Sequence, residues 1–275
     1  MGKCTDVFPY VWFLKSDSSN DVSHAQLMGG ALCIHPTGIL VSVTHAVKPD
    51  SPFFNDAQSV VTFAARRHTD ATGVRVVEMI ENTEGKEYGL SLFKLHKINQ
   101  DEVFDAFPLP DSIAFKAGVK IFAFVHHLFP FSGAFGYVCQ TYKSNACLSV
   151  PVPGGSRTVG SVVSQTHMKR ICDCMSCDSR VSDVIEKEVF YESLRKLNPD
   201  LRLIQVQNLL HTTLDGQCGW PVFTEKTNRL VGLIAFSTGF FQFLIPAQIL
   251  REVLDRNLVI LGLDEASPPQ SEVAQ

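Results

Sequence analysis

The chain has 275 residues, 45% of them hydrophobic and 19% charged, which suits one large domain or two small ones and excludes a disordered chain. A net charge of −4 is too mild to point to a nucleic-acid or membrane partner, and no apolar run is long enough to span a bilayer. Eight cysteines accompany an N-terminus, MGKCTDVFPYVWFLKSD, that lacks a basic region, apolar core and cleavage site in succession. Reduced thiols in a cytoplasmic setting are therefore expected. Gly2 and Cys4 hint at lipidation, but Asp6 stands where the myristoylation pattern wants Ser or Thr. The initiating Met favours a stand-alone product.

Strand signals run from the N-terminus onward. Apolar, β-branched and aromatic runs are broken by Gly, Pro, Asn and Asp: PYVWFLK, GGALCIH, GILVSVTHAV, QSVVTFAA, GVRVVEMI and GLSLFKL, then VKIFAFVHHL and AFGYVCQTY. From His167 to Asn198 the chain loses strand character and gains cysteines and charge, so 167–198 reads as an insertion between two strands. Its segment SDVIEKEVFYESLRKL (182–197) reads as a helix. Within it, Cys172, Cys174 and Cys177 crowd together after His167. Thiolates and imidazole are zinc ligands, but zinc sites usually join two separated pairs. A surface loop of redox-sensitive thiols is the preferred reading, and no metal or cofactor is expected. Strands resume with LRLIQVQ, RLVGLIAF and FFQFLIP. Pro246 then opens a helix over 246–257, with Ile249, Val253 and Leu254 on one face. The last residues, 266–275, read as a disordered tail. Many short strands separated by turns imply barrels or sandwiches.

Two segments carry chemistry. In D-G-Q-C-G-W-P-V-F (215–223), Cys218 stands between glycines. A tight turn there aims the amides of Gly216 and Cys218 into one hollow, as oxyanion donors must be, and Gly219 leaves room beside the thiol. A thiol nucleophile needs a base, usually histidine. Of nine histidines, His45 ends the β-run I-L-V-S-V-T-H-A-V and is followed by a small residue, which sets an imidazole at a strand end facing a cleft.

Together these segments resemble the chymotrypsin-like peptidases. T-H-A-V is similar to their histidine segment, T-A-A-H-C or T-x-x-H-V. G-Q-C-G-W-P-V is similar to G-D-S-G-G-P-V with cysteine for serine, a form found in picornavirus- and potyvirus-type cysteine peptidases. R-L-V-G-L-I-A-F-S-T-G-F-F-Q-F-L-I-P is similar to the last strands of the Do-like serine peptidases. The resemblance implies an all-β fold: two antiparallel β-barrels, 1–110 carrying His45 and 111–265 carrying Cys218. The second would hold the partly helical insertion and end in a helix. It implies a cysteine endopeptidase acting on protein or peptide through a thioacyl-enzyme, with His45, Cys218 and Gly216 at the catalytic centre.

The sequence departs from that pattern in places. The family's aspartate heads a D-I-A-L-L-K-L strand, which is G-L-S-L-F-K-L here, with Gly89 in the aspartate slot. Either His45 and Cys218 act as a dyad with water in the void at Gly89, or Glu87 substitutes from the same strand face by period two. Glu84 ranks behind Glu87. Trp220 replaces a small residue behind the nucleophile, and either packs into the barrel or reshapes the turn. Gln217 replaces the aspartate used in zymogen activation, which is not expected here. By the motif's alignment Thr212 floors the first specificity pocket without a charge, so trypsin-like specificity is not expected. Thr213 matches the threonine of the viral T-x-x-G-x-C-G pattern, but Ile234 stands where that pattern's glutamine-binding histidine would be. Ala235, Phe236 and Ser237 are expected to wall the pocket, favouring a neutral, small or apolar residue before the cut. Gly89 and Trp220 also keep open an inactive, peptidase-fold binding or scaffolding module. Oligomeric state is not legible.

Overall fold

The computed structural model describes residues 10–15, 26–44, 62–67, 74–80, 85–111, 117–125, 156–167, 197–207, 218–237 and 241–263. Among them twelve strands form. They are β1 (Tyr10–Lys15), β2 (Gln26–His35), β3 (Ile39–Val43), β4 (Thr62–Arg67), β5 (Val74–Met79), β6 (Leu90–Leu95), β7 (Lys120–Val125), β8 (Ser156–His167), β9 (Arg202–Gln207), β10 (Pro221–Thr224), β11 (Leu230–Ser237) and β12 (Phe241–Pro246). One helix, α1 (Ala247–Arg256), follows.

Every pairing is antiparallel. The first six strands run in the order β1-β2-β3-β6-β5-β4, and β4 closes on β1 with Tyr10 opposite Arg67 and Lys15 opposite Thr62. The next six repeat the same order as β7-β8-β9-β12-β11-β10, and β10 closes on β7 with Val222 opposite Ala123. Closure leaves neither sheet an open edge. This is the fold class the sequence led one to expect: two antiparallel barrels of the chymotrypsin type and a C-terminal helix. The helix foreseen at 182–197, the strand at 134–142 and the tail lie outside the described residues, Leu197 excepted.

Burial explains the strand sequences. β3 is buried at all five positions, so its run is continuous rather than alternating. One face fills the barrel. The segment after β6 lies over the neighbouring β2–β3 hairpin, where the amide of Phe107 donates to Cys33 O (2.9 Å) and that of Phe104 to Pro36 O (2.9 Å). Phe107 then meets Phe223 of β10, ring centroids 5.0 Å apart, so one aromatic contact joins the core of both barrels. In β6 burial relaxes at Ser91 and Lys94.

Helix α1 seats Ala247, Leu250, Val253 and Leu254 in the core; Leu250 is buried where Ile249 had been expected and Ile249 is only partly so. Pro246 is the extended N-cap rather than the first helical residue (φ −61°, ψ 145°). Its fixed φ ends β12 and admits the helix. Buried Asn257 closes the other end, donating from Nδ2 to Val253 O (2.6 Å). Among the described residues no helix is long and apolar enough to cross a membrane.

Candidate active site

The turn of Cys218, Gly219 and Trp220 enters β10 and is fastened on two sides. Within its own barrel, Gly219 N donates to Ile234 O (2.7 Å) and Ile234 N to Trp220 O (2.9 Å), a reciprocal pair with β11. Across the barrels, Gly30 N on β2 donates to Cys218 O (2.8 Å). Cys218 itself is half-buried and carries a reduced thiol. A residue with an exposed edge, on a turn pinned from both barrels, has the placement a nucleophile requires.

Gly219 is obligatory at this junction. Its φ is +85°, a region L side chains rarely adopt. A Cβ there would also stand 2.0 Å from Gly30 O and 2.8 Å from Ser42 Oγ. Ser42, fully buried on β3, donates to the same Gly30 oxygen (2.7 Å). Three segments thus converge on one carbonyl: β2 supplies it, β3 donates to it, and the Cys218 turn packs against it.

Trp220 packs into the interior at 4% exposure. Gly30 makes the space: a Cβ on Gly30 would lie 2.9 Å from Trp220 Cα and 3.0 Å from its Cδ1. Of the two possibilities left by the sequence, the indole takes the packed one. The glycine doublet inside the β2 run, a mark of close backbone approach, was the sequence signal for this contact.

His45, Gly216, Thr212 and Thr213 lie outside the described residues, so the structure gives their flanks. β3 ends at Val43, and Thr44 leads into His45. Thr44 N donates to Gly89 O (2.7 Å) and Thr44 Oγ1 meets Ser91 Oγ at 3.0 Å. The end of β3 is therefore tied to Gly89, the position matched to the family's aspartate.

Gly89 has φ +71°, and a Cβ there would meet Leu197 Cδ2 at 3.1 Å and Cδ1 at 3.4 Å. Leucine carbon therefore borders the Gly89 position. Leu197 arrives from beyond the 168–196 segment, which is why local reading missed it.

Glu87 also needs correction. It belongs to a 3-10 turn, Lys86–Tyr88, and not to a strand, so period two does not put it on a face with Gly89. Its carboxylate accepts from Gly85 N (3.3 Å) and from Arg256 Nη1 of α1 (3.3 Å). Its carboxylate is thus shared between its own turn and the helix.

Ala235 and Phe236 are buried, at 4% and 2% exposure. The β11–β12 register shifts between Ile234 and Phe236, so Ala235 sits in a bulge, a feature that re-aims neighbouring side chains. Phe236 stacks on Phe243 (4.9 Å, 25°) and belongs to the core. Cys172, Cys174 and Cys177 lie outside the described residues, and His167 ends β8 opposite Arg202.

No protein-family model matches the chain. The curated proteins likewise offer no match. Among solved structures the chain is similar to the apo MamO protease domain from Magnetospirillum magneticum, 14% identical over 90% of this chain and 96% of that one, with a TM-score of 0.48. The two closed six-stranded barrels follow from this chain's own strand pairing.

Proposed function

We propose that this chain is a cysteine endopeptidase of the chymotrypsin fold. His45 takes the Cys218 thiol proton as sulfur attacks the peptide carbonyl, and the Gly216 and Cys218 amides hold the oxyanion. The proton passes to the leaving amine, giving a thioacyl-enzyme. Water, deprotonated by His45, then releases the acid and restores the thiol. The observation that supports this best is the half-buried Cys218 on a turn bonded across the barrels, beside the strand that leads into His45. A glycine bordered by leucine in the aspartate slot favours a dyad, which a thiol tolerates better than a hydroxyl. The substrate would be protein or peptide with a neutral, small or apolar residue before the cut, in a cytoplasmic setting, without a cofactor. Incubation with a diverse peptide mixture tests this. Wild type cleaves it, and Cys218→Ala and His45→Ala lose at least about a thousandfold in rate. Cleavage by Cys218→Ala at the wild-type rate would refute the reading.

The second reading is an inactive binding or scaffolding module of the same fold, favoured by Trp220, whose buried indole stands directly behind Cys218 where the family has a small residue. It predicts no cleavage by wild type and a biological activity that survives Cys218→Ala.

A further inference from the structure

The turn that anchors the His45 end of β3 is held from outside its own barrel. Gly89 O receives the Thr44 amide, and Gly89 closes the turn 85–89, in which Tyr88 N and Leu90 N both donate to Gly85 O (2.9 and 3.2 Å). Helix α1, from the end of the second barrel, grips this turn at three points. Val253 lies against Gly85, whose Cβ would stand 2.9 Å from Val253 Cγ1. Tyr88 Oη donates to Glu252 Oε1 (3.1 Å). Arg256 reaches Glu87 Oε1 (3.3 Å) and Glu252 Oε1 while its guanidinium lies over the Tyr88 ring, 5.6 Å from the centroid. From the other side, Asn198 N donates to Glu87 O (2.7 Å).

We propose that Arg256 is a positioning residue: with Glu87, Tyr88 and Glu252 it forms a latch between the barrels that fixes the Gly85–Gly89 turn, and through the Gly89–Thr44 hydrogen bond sets the His45 end of β3. In the family's pattern a carboxylate at the Gly89 position orients the histidine directly. Here the position has no side chain, so the backbone of the turn carries the orientation and must itself be held rigid. Single exposed ion pairs contribute little. This one is a shared network backed by an aromatic ring and an apolar contact, and its effect is on local opening rather than global stability. The latch stands on its own geometry, and its catalytic consequence rests on the peptidase reading.

The test uses the full chain and two readouts. Amide exchange by NMR follows Thr44 and Leu90 against Ile204 on β9. Alkylation by iodoacetamide follows Cys218 across pH. Arg256→Ala speeds exchange at Thr44 and Leu90 about tenfold while Ile204 is unchanged. It also slows Cys218 alkylation at pH 7 severalfold and displaces its pH profile, and Arg256→Lys recovers part of both. Glu87→Gln gives the same pattern more weakly, and Lys226→Ala, at an exposed residue of the turn between β10 and β11, none of it. Unchanged Thr44 exchange in Arg256→Ala, or a loss of protection spread equally to Ile204, overturns the latch. An unshifted pH profile, where wild-type reactivity does depend on His45, overturns its positioning role. If wild-type Cys218 reacts independently of His45, the peptidase reading fails and the exchange readout alone decides the latch.

Discussion

Gly30 and Cys218 share a hydrogen bond across the barrel junction, the Gly30 amide donating to the Cys218 carbonyl over 2.8 Å. The candidate nucleophile is thus positioned by the first barrel as much as by its own. Everything that tightens this junction bears on Cys218.

Gly219→Ala tests the close approach. The substitution sets a methyl 2.0 Å from Gly30 O at a φ of +85°. Left-handed strain alone costs roughly 1–2 kcal/mol, and the backbone clash adds to it. Urea denaturation is expected to show a loss of about 3 kcal/mol or more, or failure to fold. A variant as stable as wild type would mean that the two barrels are not in this contact.

Ser42→Ala removes the buried hydroxyl that donates to Gly30 O (2.7 Å). The carbonyl loses one donor in a site closed to water, which costs about 1–3 kcal/mol. The same denaturation curve reads it, with an unchanged m-value. Ser42→Thr adds a methyl against a packed junction and should not recover the loss.

Gly89→Asp does not install a working third residue. Its side chain would start 3.1 Å from Leu197 Cδ2, at a left-handed φ that asparagine and aspartate tolerate better than most. Stability falls by roughly 1–2 kcal/mol, and Cys218 alkylation at pH 7 does not rise. Pairing it with Leu197→Ala opens the slot. If Gly89→Asp alone raises reactivity, Leu197 does not occupy the space.

His35 gives the fold an acid-sensitive point. Burial, and then the positive charge of Lys94, lower its pKa below the ordinary 6.5. Its Nδ1 receives the Thr37 amide (3.3 Å) and meets Thr37 Oγ1 (2.9 Å), contacts of the neutral ring. With the folded pKa depressed, the unfolded chain binds the proton first. Stability present above pH 6.5 is therefore lost as pH falls through that value toward the folded one. Between pH 7 and pH 5 wild type should lose more stability than His35→Gln; equal losses would remove His35 from the account.

The strands were largely legible because their apolar runs are short and punctuated, and the pairing order follows once both sheets close. β8, SRTVGSVVSQTH, was missed: its serines, threonines and glycine resemble a loop, and a neighbour on either side makes it a strand. Period-two reading was extended through Glu87, where Gly85 and Gly89 instead bracket a 3-10 turn. Cys218 and His45 were singled out by motif as candidate nucleophile and base. Their supports were not, because Gly30, Ser42, Leu197 and Arg256 act across the chain: Trp220 fits because Gly30 is small, and Gly89 is bordered by Leu197, far along the chain.

The most direct measurement is the alkylation rate of Cys218 by iodoacetamide from pH 5 to 9, in wild type and His45→Ala, resolved from the other thiols by mass spectrometry. The expected result is fast reaction with an apparent pKa well below the ordinary thiol value of about 8.5, abolished by His45→Ala. A slow thiol titrating near that value and indifferent to His45 would contradict it, leaving Cys218 without a base.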